Sequence, residues 1–184
     1  MSEKAAKLLA SRREAVVRVI PYTLQASSAK DLDVVVTPNF KVREFCSPRD
    51  SDNIFFPIGV ELANGLQLMR DVLDRPIRIT SAYRSPDYNK SIGGAKYSRH
   101  MSGCAADIQV DGITMLNLAG VAAMCGFQRI GISSNFVHID TYPPTQKGLS
   151  IQGWHYGQSN APDLNAILPA GMQWVDRIIE TLRK

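Results

Sequence analysis

Apolar residues recur every three or four positions in two stretches of the chain. Residues 56 to 73 carry an apolar stripe, which predicts an amphipathic helix, and Pro57 suits the first turn of that helix. Residues 113 to 125 show a second helical pattern, and Gly126 follows it as a typical C-terminal cap. Ser85-Pro86-Asp87 predicts the cap and first turn of a short helix that ends before Gly93.

Strand-like alternation occupies the stretches between these helices. Residues 76 to 84 and 105 to 110 are rich in alternating or β-branched residues, which predicts two strands. Residues 129 to 133 and 136 to 142 predict a hairpin with its turn at Ser134-Asn135. Because the elements show no regular βαβ order, we predict an α+β fold with a mostly antiparallel central sheet flanked by helices.

The two ends of the chain differ from this middle part. Residues 1 to 38 combine a basic amphipathic stretch with a linker and one short strand, so we predict an N-terminal arm. The main domain is expected at residues 39 to 158, and residues 159 to 184 form a tail with one further helix at 172 to 182. The first 20 residues lack the apolar core of a signal peptide, which predicts synthesis in the cytoplasm without one.

Composition and charge narrow the class of protein. With 45% hydrophobic and 21% charged residues among 184, a globular core is feasible and global disorder is excluded. The net charge of +4 is not concentrated in any run of Lys or Arg, so we expect no nucleic-acid partner. A positive charge would favour attraction to an anionic polymer such as a bacterial cell wall. It is equally compatible with an ordinary solvated surface that carries a few extra lysines. No apolar run is long enough for membrane insertion, and three cysteines without a C-x-x-C spacing predict inert thiols.

Two segments carry the candidate chemistry. In the first, His100 precedes a predicted tight turn at Gly103, and Asp107 lies on the strand that follows. In the second, alternation places His138 and Asp140 on one strand face and Val137 and Ile139 on the other. Two His and one Asp match a catalytic zinc site with one position left for water. Taken separately, each segment is also compatible with an ordinary surface pair.

The motifs in these segments resemble those of a known family. The pattern S-x-H-x-x-G-x-A-x-D is matched at Ser98, His100, Gly103, Ala105 and Asp107, and residues 135 to 140 (NFVHID) resemble a second motif. Residues 80 to 85 (TSAYRS) resemble a third, upstream motif. All three are similar to motifs of the zinc D-Ala-D-Ala carboxypeptidase family, whose fold hedgehog-type domains share. The resemblance runs from about residue 40 to 156.

The resemblance implies roles for individual residues. His100, Asp107 and His138 would be the ligands of a zinc cofactor. Arg84 and Ser98 would bind the peptide substrate, and the forked guanidinium of Arg84 suits a carboxylate. The alternative for Arg84 is an ordinary ion pair with a surface acid such as Asp87.

One position departs from the family pattern. Several members place a catalytic Glu or Asp three residues before the last His ligand, where this chain has Asn135, whose amide is no general base. Asp140 is the best replacement, either as the base or as the group that orients a ligand imidazole. His155 is the remaining catalytic candidate, although a plain surface histidine is also compatible with the sequence.

We therefore expect a zinc metallopeptidase that hydrolyses a peptide bond in bacterial peptidoglycan. A phage source would fit, either as an endolysin released through a holin or as a lysin carried in the virion. In that setting the arm or tail would contact other virion proteins. The alternative is a non-catalytic structural or binding module, such as a tail or baseplate component, and Asn135 favours it.

Overall fold

The computed structural model describes residues 23–26, 29–50, 55–157 and 163–170. In these residues the strands are β1 (Thr23–Ala26), β2 (Val35–Thr37), β3 (Phe40–Lys41), β4 (Phe56–Gly59), β5 (Arg78–Ser81), β6 (Ala105–Gln109), β7 (Arg129–Ile132), β8 (Val137–Asp140) and β9 (Gln152–His155). The α-helices are α1 (Val60–Leu73), α2 (Pro86–Ser91), α3 (Met115–Met124) and α4 (Leu164–Ala170). Short 3₁₀ turns lie at Ala29–Asp33, Val42–Phe45, Pro48–Asp50 and Arg99–Ser102.

A five-stranded sheet organises the protein, with the strand order β5-β6-β8-β7-β9. Neighbouring strands run antiparallel, except that β9 runs parallel to β7. The predicted hairpin is confirmed as the antiparallel pair β7–β8. The predicted α+β class with a mostly antiparallel sheet is confirmed by this topology and by the helices beside it.

One face of this sheet is the main hydrophobic core. The side chains of Ile108, Ile130, Val137 and Ile139 are fully buried on it, and each contributes about 1.5–3 kcal/mol relative to exposure. Helix α3 packs over β7 and β8, and α4 packs over β9. The alternation predicted for β8 is therefore confirmed, because its apolar residues face the helices and leave the other face to polar side chains.

Helix α1 begins later than the sequence pattern predicted. Residues 56 to 59 form β4, which pairs antiparallel with β1, and the helix starts only at Val60. Phe56 and Ile58 point into the core, and the Gly59 N–H donates to the carbonyl of Gly103 at 2.9 Å. The prediction of a helix from residue 56 was wrong. Backbone pairing with a distant segment outweighs the local helix propensity and the preference of Pro57 for a first helical turn.

The other predicted elements in the described residues lie within about two residues of their expected bounds, except β5. Strand β5 ends at Ser81, earlier than residue 84, and its register against β6 shifts before Ser81, which turns the following residues out of the sheet. Strands β1, β3 and β9 and helix α4 were not predicted. Helix α2 is confirmed, with the Ser85 side chain accepting from the Tyr88 N–H at 3.2 Å.

The predicted arm and tail both contribute described residues. Strand β1 belongs to the predicted arm, and Leu164 and Leu168 of the predicted tail are buried in the core. The predicted boundaries at 38 and 158 stay predictions. The basic amphipathic stretch of the predicted arm and the predicted helix at 172 to 182 lie outside the described residues. No helix in the part of the chain that the structure describes is long and apolar enough to cross a membrane.

Candidate metal centre

The site lies on the polar face of the sheet, along one row that crosses all five strands. Ser81 of β5 is paired with Asp107 of β6, Asp107 with His138 of β8, His138 with Gly131 of β7, and Gly131 with Trp154 of β9. Because residues in one row of a sheet lie side by side, residues far apart in sequence meet here. The sheet register thus brings Asp107 and His138 together.

His100 joins this row from the turn that precedes β6. The 3₁₀ turn Arg99–Ser102 ends at Gly103, which has a φ of 68° and whose added Cβ would lie 2.1 Å from the Pro57 carbonyl oxygen. Only glycine suits both the left-handed backbone and this close approach. The tight turn predicted at Gly103 is therefore confirmed, and it presents His100 beside Asp107.

Three donor atoms converge in a small triangle. His138 Nδ1 lies 2.9 Å from Asp107 Oδ1, His100 Nε2 lies 3.3 Å from the same oxygen, and the two nitrogens are 3.1 Å apart. The three residues are buried, with 2%, 5% and 6% of the surface of His100, Asp107 and His138 exposed. Donors bound to a tetrahedral zinc ion stand roughly 3.3–3.5 Å apart, so the triangle fits a metal of that size.

The outer nitrogen of each imidazole determines which atom faces inwards. His100 Nδ1 lies 2.6 Å from the Ala82 carbonyl oxygen, and because a carbonyl only accepts, Nδ1 carries the proton. His138 Nε2 lies 3.6 Å from Asp140 Oδ2, which favours a proton on that nitrogen. Both inner nitrogens then offer lone pairs to the same point as the carboxylate. A cation at this point satisfies all three, so the donor set fits a metal ion.

Burial and mutual contacts shift the pKa values of these groups. Burial lowers the pKa of His100. Burial also lowers the pKa of His138, but the neighbouring carboxylates of Asp107 and Asp140 outweigh it and the net pKa is raised. Burial raises the pKa of Asp107, yet its contacts with the two imidazoles outweigh burial and hold that pKa well below its usual range. Asp107 is therefore a carboxylate at neutral pH, as a metal ligand must be.

His100, Asp107 and His138 are called the metal group below, and Arg84 contacts this group directly. Its Nη2 donates to Asp107 Oδ2 at 2.5 Å and its Nε donates to Ser81 Oγ at 2.8 Å. The turn of the chain after β5 brings the guanidinium here, with 15% of the side chain exposed. The structure thus pairs Arg84 with the buried Asp107 and not with a surface acid such as Asp87. The predicted role of Arg84 in substrate binding stays a prediction.

Asp140 lies behind His138, on the side away from the metal donors. Its Oδ2 accepts from Arg129 Nε at 2.9 Å, and its Oδ1 accepts from the Tyr142 N–H at 2.9 Å. The side chain is 0% exposed. Burial raises its pKa, but His138 and Arg129 outweigh burial and the net pKa is lowered. Asp140 is thus a fixed carboxylate that contacts the outer nitrogen of His138.

Two aromatic residues, Trp154 on β9 and Tyr156 just after it, lie beside His138. The ring centroid of Trp154 lies 5.4 Å and that of Tyr156 6.5 Å from the centroid of the His138 ring. A Cβ added to Gly131 would lie 2.6 Å from the Trp154 ring and 2.7 Å from the Tyr156 ring, so glycine makes room for both. The position of Tyr156 beside His138 was not predicted, because the parallel pairing of β9 with β7 leaves no local sequence pattern.

His155 lies on the opposite face of β9. Trp154 faces the metal group, and strand alternation turns its neighbours Gly153 and His155 to the other side. A Cβ added to Gly153 would lie 2.5 Å from Leu164, which confirms that this side faces α4. The alternation argues against the predicted catalytic role of His155.

The other predicted residues lie at the margin of the site. Asn135 is exposed in the turn between β7 and β8, and its Oδ1 is 3.4 Å from Ser133 Oγ. Ser98 is half-buried at the start of the 3₁₀ turn that carries His100, and its side chain makes no capping hydrogen bond. The predicted role of Ser98 in substrate binding stays a prediction.

This chain has relatives among known proteins. It is 40% identical over 76 residues to the peptidoglycan L,D-endopeptidase MepK of Escherichia coli (strain K12), a match that covers 38% of this chain and 42% of that protein. It is 41% identical over 66 residues to the zinc D-Ala-D-Ala carboxypeptidase of Streptomyces albus G, covering 35% of this chain and 26% of that protein. The chain thus covers less than half the length of either relative.

The family comparison covers more of the chain. The sequence model described as Peptidase M15 matches residues 38–140, which is more than half of the 184 residues and includes all three metal-binding candidates. The predicted family is confirmed, and this chain belongs to the Peptidase M15 family.

Proposed function

We propose that this chain is a zinc-dependent peptidase that hydrolyses a peptide bond in bacterial peptidoglycan. The observation that carries the proposal is the convergence of His100 Nε2, Asp107 Oδ1 and His138 Nδ1 within the region that matches the family. The two relatives support the zinc and the substrate, since one is a zinc D-Ala-D-Ala carboxypeptidase and the other a peptidoglycan endopeptidase.

His100, Asp107 and His138 would hold the ion. When bound there, zinc would supply polarisation of a peptide carbonyl and activation of a water molecule. Arg84 fixes the outer oxygen of Asp107, so that the inner oxygen faces the two histidines. Its contacts with Asp107 and Ser81 use two of the five N–H groups of the guanidinium, which leaves donors for a carbonyl oxygen of the substrate.

Asp140 orients His138 in this proposal and does not take a proton from water. Its oxygens already accept from Arg129 and from the Tyr142 backbone, and they face the nitrogen of His138 that points away from the metal donors. Carboxylates in this position fix the ring orientation and the tautomer of a ligand imidazole.

Trp154 and Tyr156 border the metal group on its β9 side. Their rings stand within 6.5 Å of the His138 ring, and Tyr156 keeps 42% of its surface exposed. Rings in this position exclude water from one side of the ion, and they offer an apolar surface to the side chains of a bound peptide.

A second candidate function is a binding module that keeps the fold and the metal without turnover. Asn135 favours it, because the position where several family members carry an acid holds an amide here. The two candidates differ in whether purified cell walls are degraded.

Zymography on purified bacterial walls tests the proposal. The zinc-loaded chain should clear the wall layer, and His138→Ala should abolish clearing because it removes a metal donor. His155→Ala is the matched comparison: it removes the third imidazole, from the other face of β9, and clearing should persist. A zinc-loaded chain that binds walls without clearing them would favour the binding module.

We also propose, as the finer hypothesis, that the chain acts as a phage lysin, either released through a holin or carried in the virion. Immunodetection in purified phage particles and in infected cells separates the two routes. Absence of the chain from both would refute the phage setting and leave the peptidase proposal intact.

A further inference from the structure

Arg99 is stacked on an aromatic ring at the edge of the metal group. Its guanidinium carbon lies 3.7 Å from the centroid of the Tyr142 ring, and both side chains are half-buried. Arg99 immediately precedes His100 in the 3₁₀ turn, and the Tyr142 N–H donates to Asp140, the residue behind His138. The stacked pair is therefore anchored to the metal group from two sides.

Arg99 differs from the other two arginines beside the site in what its guanidinium contacts. Arg84 donates to Asp107, and Arg129 donates to Asp140. Among the described residues, the guanidinium of Arg99 donates to no protein acceptor, and its contact is the face of the Tyr142 ring. Stacking fixes the plane of the guanidinium and leaves its N–H edge open, which lowers the entropy cost of binding an anion.

The position of Arg99 places a bound anion near the cleaved bond but not at it. Arg99 directly precedes His100 in the 3₁₀ turn, and its guanidinium lies on the Tyr142 ring and contacts none of the three metal-binding side chains. A group of the substrate that Arg99 binds is therefore separate from the peptide bond at the metal group.

We infer that Arg99, held on Tyr142, binds a carboxylate of the substrate away from the cleaved bond. The planar guanidinium matches a carboxylate with two parallel hydrogen bonds. The inference rests on the proposed function, because wall peptides carry carboxylates both at the C-terminus and on D-glutamate. It names the substrate class of this site: a peptide with a free carboxylate near the cleaved bond.

The test measures binding and turnover separately on the zinc-loaded full chain. The probes are the synthetic peptide L-Ala-γ-D-Glu-L-Lys-D-Ala-D-Ala, the same peptide with a C-terminal carboxamide, and a third with the D-Glu α-carboxylate amidated. The peptide with the free carboxylate at the recognised position should bind roughly 10- to 100-fold more tightly than its amide. Of the two amidated peptides, the one that binds more weakly identifies the carboxylate that Arg99 contacts.

Three variants separate a specific contact from general attraction. Arg99→Met keeps the apolar stem and should abolish the preference for the carboxylate, while zinc stoichiometry stays at the wild-type value. Arg99→Lys keeps the charge without the forked geometry and should retain only part of the preference. Lys96→Met is the matched control, because Lys96 also lies over an aromatic ring, that of the exposed Tyr97, and its loss should leave the preference intact.

The inference would be overturned if Arg99→Met kept the full preference for the free carboxylate. It would also be overturned if Lys96→Met lost as much of that preference as Arg99→Met does. Equal binding of all three peptides to the wild-type chain would also overturn it. Failure of the proposed function looks different, since a zinc-loaded chain that prefers the carboxylate but cleaves no wall peptide refutes the peptidase and leaves the role of Arg99 standing.

Discussion

Asp140→Asn separates the two roles that the sequence left open for this residue. The substitution keeps the size of the side chain and removes its charge. The Asn carbonyl can still accept from the Tyr142 N–H, but the new amide N–H₂ meets Arg129 Nε and His138 Nε2, both of which are donors. The variant therefore loses the contacts that hold His138 from behind.

The size of the effect follows from these contacts. Loss of the charge-assisted hydrogen bond from Arg129, at 2.9 Å and fully buried at Asp140, should lower the free energy of unfolding by about 1.5–3 kcal/mol. Loss of the carboxylate behind a ligand imidazole should weaken zinc binding by roughly 10- to 100-fold. Turnover at saturating zinc should fall by less than about tenfold, because no proton is transferred to Asp140 in the reaction.

Three measurements on one variant give the answer. Zinc affinity comes from competition with a chromophoric chelator, stability from urea unfolding of the metal-free chain, and turnover from wall-peptide hydrolysis at saturating zinc. Asp111→Asn is the matched control, since Asp111 is exposed and the change in charge is the same. An unchanged zinc affinity with turnover reduced by roughly a hundredfold or more would refute the reasoning and make Asp140 the general base. No change in either quantity would place Asp140 outside the site and favour the binding module.

Two further predictions concern the sheet and the charges of the site. Gly131→Ala should lower the free energy of unfolding by about 1–3 kcal/mol and reduce zinc affinity, because the added Cβ displaces Trp154 and Tyr156 from His138. A variant that is as stable as the wild type and binds zinc as tightly would contradict this packing argument. In the metal-free chain, the pKa of Asp107 is lower in the folded state than in the unfolded state. The stability that Asp107 contributes to the fold is therefore complete above about pH 4 and is lost as the pH falls further. Urea unfolding between pH 7 and pH 3 should show that loss, and constant stability across this range would contradict it.

Part of the site's geometry was predictable from sequence because two of its features are local. The turn at Gly103 places His100 against the start of β6, and strand alternation decides which side of β8 carries His138 and Asp140. Both features follow from residues within ten positions of one another. What remained was the pairing of β6 with β8, and the family motif supplied that.

The features that the sequence did not predict depend on distant pairing. The start of α1 was misplaced because β4 is held by β1 and by Gly103, contacts that no local pattern contains. Strand β9 was missed for the same reason, and with it the position of Tyr156 beside the metal group. The partner of Arg84 is also a distant residue, so the sequence alone left the choice between substrate and Asp87 open.

Metal analysis of Asp107→Ala tests the central claim most directly. Asp107 supplies the one carboxylate of the triangle, 2.9 Å from His138 Nδ1 and 3.3 Å from His100 Nε2, and it also binds Arg84. After dialysis, the wild-type chain should retain close to one zinc ion per molecule, and Asp107→Ala should retain almost none while circular dichroism still shows a folded chain. Full retention of zinc in Asp107→Ala would contradict the assignment of His100, Asp107 and His138 as the metal site.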